Sequence, residues 1–149
     1  MKLSKILSAK SDENKVLSIV DTASLTAAAK LFCEHHVGSL LVKRNDEYIG
    51  IITERDIIKM CTYKSEFYHM QVTEIMTEDM VTCELDNDVD HVLKVMAKHN
   101  IRHIPVADED VIVGVITIGD ILKELYEEDE IVIHDIADLS GANSRNKVY

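Results

Sequence analysis

Tryptophan is absent from the 149 residues, proline occurs once (Pro105), glycine five times and cysteine three times. A single proline excludes collagen-like and proline-rich chains. The glycines (Gly38, Gly50, Gly114, Gly119, Gly141) form neither a Walker-type loop nor a G-x-G-x-x-G fingerprint. The cysteines (Cys33, Cys61, Cys83) are odd in number and lack a C-x-x-C, so they read as reduced thiols of a cytoplasmic chain. No run of 18 apolar residues exists to span a bilayer. The segment Met1–Leu7 lacks the apolar stretch and cleavage site of a secretory leader, and is too short and mixed for a mitochondrial one. Basic side chains are scarce: Lys plus Arg total 16 against 27 Asp plus Glu, a net charge of −11. Such a surface repels phosphate backbones and anionic lipid, so neither nucleic acid nor membrane is expected as a partner. A small anion can still bind where backbone N–H groups and one or two basic side chains converge.

What remains is a globular composition, 46% hydrophobic and 29% charged. A chain of this length forms one domain, or two half-size units around a shared core, and buries roughly 68–70% of its unfolded surface. A repeat decides between these. Residues 50–59 (GIITERDIIK) return as 114–123 (GVITIGDILK), an offset of 64 that runs without a gap back to Val16 against Met80. Identical pairs include Lys30/Lys94, His35/His99, Val42/Val106, Gly50/Gly114, Thr53/Thr117, Asp56/Asp120 and Lys59/Lys123. Upstream, Ile6-Leu7 matches Ile75-Met76 at offset 69, so the first copy carries about five extra residues near 8–14. Two copies argue for a pseudo-two-fold pair rather than a solenoid.

Each copy reads as β-α-β-β-α. Short β-type runs (16–20 and 80–83) precede N-cap candidates (21–24 and 86–88). Leu25, Ala28, Ala29 and Phe32, then Val89, Val92, Leu93 and Met96, keep helical spacing; Gly38 and Asn100 are the expected stops. Apolar strands follow at 39–43 and 103–107, acidic turns at 45–47 and 108–110, strands at 48–53 and 111–117, and helices from Glu54 and Ile118. The fold class is α/β (α+β), two such repeats packed sheet to sheet with pseudo-two-fold symmetry into one module, since neither half would be comfortably stable alone. The expected division is repeat 1 over 1–62, repeat 2 over 72–126, and a C-terminal helical extension and tail over 127–149. The linker 61–71 lacks Gly and Pro and suits an extended helix. A second C-terminal helix is expected through Ile131, Ile136 and Leu139, and fraying over 142–149.

The pattern Gly-hydrophobic-Ile-Thr-x-x-Asp-Ile, preceded by a strand such as Arg102-His103-Ile104-Pro105-Val106, resembles the cystathionine-β-synthase (CBS) domain, and two in tandem resemble a Bateman module. The resemblance covers roughly residues 1–126, and a short motif repeated at a fixed offset makes it specific. With no catalytic or transport domain attached, the chain is similar to stand-alone CBS-pair proteins. The resemblance implies adenosine-containing ligands (AMP, ADP or ATP, sometimes NADH or S-adenosylmethionine, with Mg²⁺ alongside ATP) in clefts between the repeats. It also implies a homodimer that regulates an unidentified protein partner.

Thr-x-x-Asp has two readings. One is a helix capping box: Thr53 or Thr117 at the N-cap, Asp56 or Asp120 bonding back. The other is ligand binding, in which the carboxylate accepts the two ribose hydroxyls and the threonine and helix amides meet phosphate. The readings need not exclude each other. Arg55 offers a planar fork to phosphate or is an exposed helix residue. Gly119 permits close backbone approach or is tolerated in a first turn. Arg102 and His103, at the cleft border in the family, are phosphate and ribose candidates; a lone His is as readily a surface residue. The first copy has Gly38-Ser39 there, so Ser39 replaces His103 and the sites need not be equivalent. The Thr117, Asp120, Arg102 and His103 cleft, with Gly119, is the expected better site. Adenine is expected against apolar walls near 16–20 or 80–82.

No H-E-x-x-H, paired metal ligands or G-x-S-x-G elbow occurs, so neither a metal site nor an enzyme is expected. Three functions stay open: a nucleotide sensor, a ligand-independent dimerisation or interaction scaffold in which both boxes only cap, and a nucleotide hydrolase.

Overall fold

The computed structural model describes residues 1–11 and 15–139, with side chains to Glu130. The elements are α1 (Leu3–Ala9), β1 (Ser18–Val20), α2 (Leu25–His35), β2 (Ser39–Arg44), β3 (Glu47–Thr53), α3 (Glu54–Tyr63), a 3₁₀ turn (Val72–Glu74), β4 (Cys83–Glu84), α4 (Val89–His99), β5 (His103–Asp108), β6 (Val111–Thr117) and α5 (Ile118–Leu139). They make two three-stranded sheets, ordered β1-β2-β3 and β4-β5-β6. In each the first pair is parallel and the second antiparallel. The repeat survives in fine detail. Ser39 pairs with Thr53 as His103 pairs with Thr117, and the register slips between Val42 and Lys43 as between Val106 and Ala107.

Several expected boundaries move. The leading strands are shorter than 16–20 and 80–83. The first helix stops at His35, before Gly38: His36 turns left-handed (φ 52°) and Asn100 does the same in the second copy (φ 53°). His and Asn tolerate that region better than most side chains, so no glycine is required. Helix α3 enters the linker only as far as Tyr63. The C-terminal pair of helices is instead one, α5, continuous through Leu139; the expected frayed tail lies outside the described residues.

Ser24 caps α2, accepting from the Ala27 amide at 3.1 Å. The helix buries Leu25, Ala28 and Phe32 against the first sheet. Helix α4 buries Val89, Val92 and Met96 against the second. Each core borrows its last layer from the other half. Leu3, Ile6 and Leu7 of α1 complete the second core, while Val72, Ile75 and Met76 complete the first. Backbone bonds fix the exchange: Leu3 N–H to Asn87 O (3.0 Å) on one side, Leu25 N–H to Met70 O (2.9 Å) on the other. Gly114 and Gly50 make room for it. A Cβ at Gly114 would overlap Leu7, and one at Gly50 would sit 2.7 Å from Met76 Sδ and 2.9 Å from the Thr77 carbonyl oxygen.

Between the sheets a third cluster forms from Leu41, Ile51 and Val115, flanked by Val16, Tyr48, Met80 and Ile112. Full burial of one such side chain contributes about 1.5–3 kcal/mol. This shared layer and the exchanged segments make the halves one module. The grooves flanking it open at the strand ends.

Candidate functional site

Two clefts lie between the repeats, each built by exchange. Each takes its Thr-x-x-Asp from one repeat and its facing loop from the other. Thr117, Asp120 and Val115 face Leu17 and the loop His36–Ser39 across a cavity of about 580 Å³. Thr53, Asp56 and Ile51 face Val81 and the loop Asn100–His103 across about 170 Å³. Small-molecule sites typically enclose about 300–1,000 Å³, so the Asp120 cleft reaches that size and the Asp56 cleft does not; the more open groove between them measures about 530 Å³.

Both boxes are complete. Asp56 Oδ2 accepts from the Thr53 amide (2.8 Å) and hydroxyl (2.9 Å). Asp120 Oδ2 accepts from the Thr117 amide (2.8 Å) and hydroxyl (2.9 Å), and Thr117 Oγ1 accepts the Asp120 amide at 3.0 Å. The capping reading therefore holds in both copies. It does not consume the carboxylate. Every bond drawn to Asp120 falls on Oδ2, so among the described residues Oδ1 keeps its lone pairs for a ligand.

Charge separates the clefts. Among the described residues the Asp120 cleft is lined by Lys10, Lys15 and Lys123 against Asp120 and Glu124, with His35, His36 and His103. The Asp56 cleft has Arg55 and Arg102 against Glu54, Asp56 and Asp79. Lys10 Nζ donates to Asp120 Oδ2 at 2.9 Å and to the Val115 carbonyl at 3.0 Å. His103 lines both clefts and the groove between them. Burial, reinforced by the neighbouring Arg102 cation, lowers its pKa; Glu54 and Asp120 act the other way, and Lys10 with Arg102. A Cβ on Gly38 would stand 2.9 Å from His103 Nε2, so the glycine lets the imidazole pass between the halves.

A family model for the CBS domain matches residues 12–62 and again 72–127. The chain belongs to the CBS-domain family. The tandem arrangement makes it a CBS pair. It is 31% identical to the uncharacterized protein YlbB of Bacillus subtilis over 124 residues, 82% of this chain and 83% of that one. It is 36% identical to the L-aspartate semialdehyde sulfurtransferase of Methanocaldococcus jannaschii over 67% of this chain, which is only 19% of that protein. Among solved structures, a CBS-domain protein from Burkholderia ambifaria superposes over the whole of both chains (28% identity, TM-score 0.79). The CBS domain pair of protein MJ0100, in complex with 5′-methylthioadenosine and S-adenosyl-L-methionine, covers 86% of this chain and 98% of its own (29% identity, TM-score 0.73).

The pair redistributes the residues picked out in the sequence. Thr117, Asp120, His103 and Ser39 share the Asp120 cleft. Thr53, Asp56 and Arg55 share the other, where Arg55 donates to the Asn100 carbonyl at 3.0 Å. Arg102 lines the Asp56 cleft and also the groove it shares with His103, Thr117 and Gly119, but not the Asp120 cleft, and it pairs with Glu54 at 3.8 Å; its grouping with Asp120 is corrected. The Arg102 backbone stays on its own repeat, its carbonyl accepting the Ile118 amide at 3.1 Å, while its side chain reaches Glu54 of the other. Gly119 likewise lines the intervening groove with Thr117 rather than the Asp120 cleft. Lys10, His35 and His36 were missed. The signal for Lys10 was the insertion near 8–14, which carries a lysine into an acidic chain. Among the described residues no cluster of His, Cys, Asp or Glu is arranged to hold a metal. No helix among them is long and apolar enough to cross a membrane.

Proposed function

We propose that this CBS pair is a regulatory module that binds an adenine nucleotide of the AMP, ADP or ATP type in the Asp120 cleft, with Mg²⁺ accompanying ATP. The observation that carries the reading is a carboxylate with an oxygen free among the described residues, inside a ligand-sized cleft also lined by Lys10, Lys123 and His103, on a chain of net charge −11. Asp120 Oδ1 would accept ribose hydroxyls, Thr117 would hold the carboxylate, and Lys10, Lys123 and His103 would meet phosphate. Ser39 and Leu17 would border the nucleoside, with the adenine against the apolar wall. Thr53, Asp56, Arg55 and Arg102 form the weaker second site, and Gly119 flanks the passage between them.

Ligand occupancy shifts the balance between arrangements of the two repeats only as far as it favours one of them. The exchanged helices give that shift a route, because α1 packs in the second core and its continuation, Lys10, lines the cleft. The module would act in the cytoplasm without catalysis, through a protein partner. A homodimer is part of the reading: Ile58 and Leu122, equivalent at offset 64, are both apolar and exposed on α3 and α5. Light scattering should give twice the 16.8 kDa chain mass.

The completed capping boxes favour a second reading, a ligand-independent scaffold. Thermal melts with AMP, ADP, ATP, NADH, S-adenosylmethionine and 5′-methylthioadenosine separate the two. A ligand at 100 times its Kd adds about 2.7 kcal/mol, which raises Tm by roughly 5–10 °C at this chain length. A melting point unmoved by all six supports the scaffold.

A further inference from the structure

The segment that leads from each exchanged helix into its first strand reaches one cleft. In the first copy it carries Lys10 to Asp120. In the second copy, which lacks the insertion, Asp79 lines the Asp56 cleft. Pseudo-symmetry thus places an ammonium group in one cleft and a carboxylate in the other. The Lys10 side chain is only 16% exposed and is held by two acceptors, Asp120 Oδ2 and the Val115 carbonyl. An ammonium has three N–H donors, so among the described residues one remains. Asp120 Oδ1 is also free of bonds among the described residues, so a ribose hydroxyl can dock without displacing the lysine.

We propose that Lys10 is a specificity-determining residue that makes the Asp120 cleft select adenosine ligands with an anionic 5′ group. The remaining donor of Lys10 meets a 5′-phosphate beside the ribose. A neutral 5′-thioether gains nothing from it, and a 5′-sulfonium is repelled. The inference rests on the reading of this cleft as an adenosine site and adds the residue that sets its preference for a phosphate. Lys123, on the first turns of α5, lines the same cleft and adds to the positive potential.

The test is calorimetric titration of AMP, 5′-methylthioadenosine and S-adenosylmethionine into the full chain and into its Lys10→Met and Lys10→Arg variants. Wild type should bind AMP at least about 10-fold more tightly than 5′-methylthioadenosine, the scale of one charge-assisted hydrogen bond. Lys10→Met should lose about 10-fold or more for AMP and leave 5′-methylthioadenosine within about 2-fold, while Lys10→Arg keeps the preference. Equal loss for both ligands, a preference unchanged in Lys10→Met, or a gain in affinity on removing the lysine overturns the proposal. Wild type that binds 5′-methylthioadenosine as tightly as AMP overturns the role of Lys10 alone. Wild type that binds none of the three overturns the adenosine reading beneath it.

Discussion

The Asp120 and Asp56 clefts are built from the same parts at the same offset, yet one encloses about 580 Å³ and the other about 170 Å³. Their strands, bulges and capping boxes coincide. Their rims do not. Gly38-Ser39 borders the first where Arg102-His103 borders the second, with His103 reaching both, and Lys10 lines one where Asp79 lines the other. The framework that folds the chain is thus kept in duplicate, and the difference in chemistry sits in a few loop residues. Loops carry binding because a rigid scaffold positions them.

The largest way to break this comparison is to remove each carboxylate in turn. Asp120→Asn keeps the shape of the capping box but loses the charged acceptor. AMP affinity should fall about 10- to 100-fold by titration calorimetry, the effect of one or two hydrogen bonds to a charged group. Asp56→Asn should change it by less than about 3-fold, since the smaller, net acidic cleft is the weaker site of the proposal. Equal losses in the two variants would make the clefts equivalent.

A smaller effect belongs to His103. Burial first, then Arg102, holds the folded-state pKa of its imidazole below the ordinary value. The unfolded chain therefore takes up the proton more readily, and stability rises with pH between the two values. The contribution of neutral His103 is present above the ordinary imidazole pKa and is lost as pH falls through the folded one. Melts from about pH 7 to pH 5 should show wild type losing more stability than His103→Gln. Identical slopes would mean that other groups carry the acid sensitivity.

The smallest effect sharpens the contrast. Arg102 and Glu54 pair at 3.8 Å with both side chains about half exposed (55% and 51%). Exposed pairs contribute about 0–1 kcal/mol, so Arg102→Ala should shift urea unfolding by less than about 1 kcal/mol. AMP affinity should stay within about 2-fold, because Arg102 does not line the Asp120 cleft. A collapse of AMP binding in this variant would return the site to Arg102.

The repeat, the β-α-β-β-α order within each copy and both capping boxes are legible in the sequence because each is local: periodicity, turn chemistry and a four-residue motif; the leading helix α1 and the 3₁₀ turn at 72–74 are not. Ser24 caps α2 as its residue type implies, and Thr53 and Thr117 lie where strand meets helix. The exchange of α1 for residues 72–76 was not legible. Ile6-Leu7 aligned with Ile75-Met76, but alignment gives equivalence and not the core each pair enters. Grouping Arg102 with Asp120 failed because its backbone stays beside its own repeat while its side chain pairs with Glu54 of the other, a long-range contact that no local pattern encodes. Helix α5 runs on because nothing from Asp120 to Leu139 is a glycine or a proline.

The most direct test is a crystal structure of the protein grown with AMP. The account predicts the ribose on Asp120, the phosphate within hydrogen-bonding distance of Lys10, and the Asp120 cleft filled ahead of the Asp56 cleft. AMP seated on Asp56 and Arg102 with the Asp120 cleft empty would contradict it.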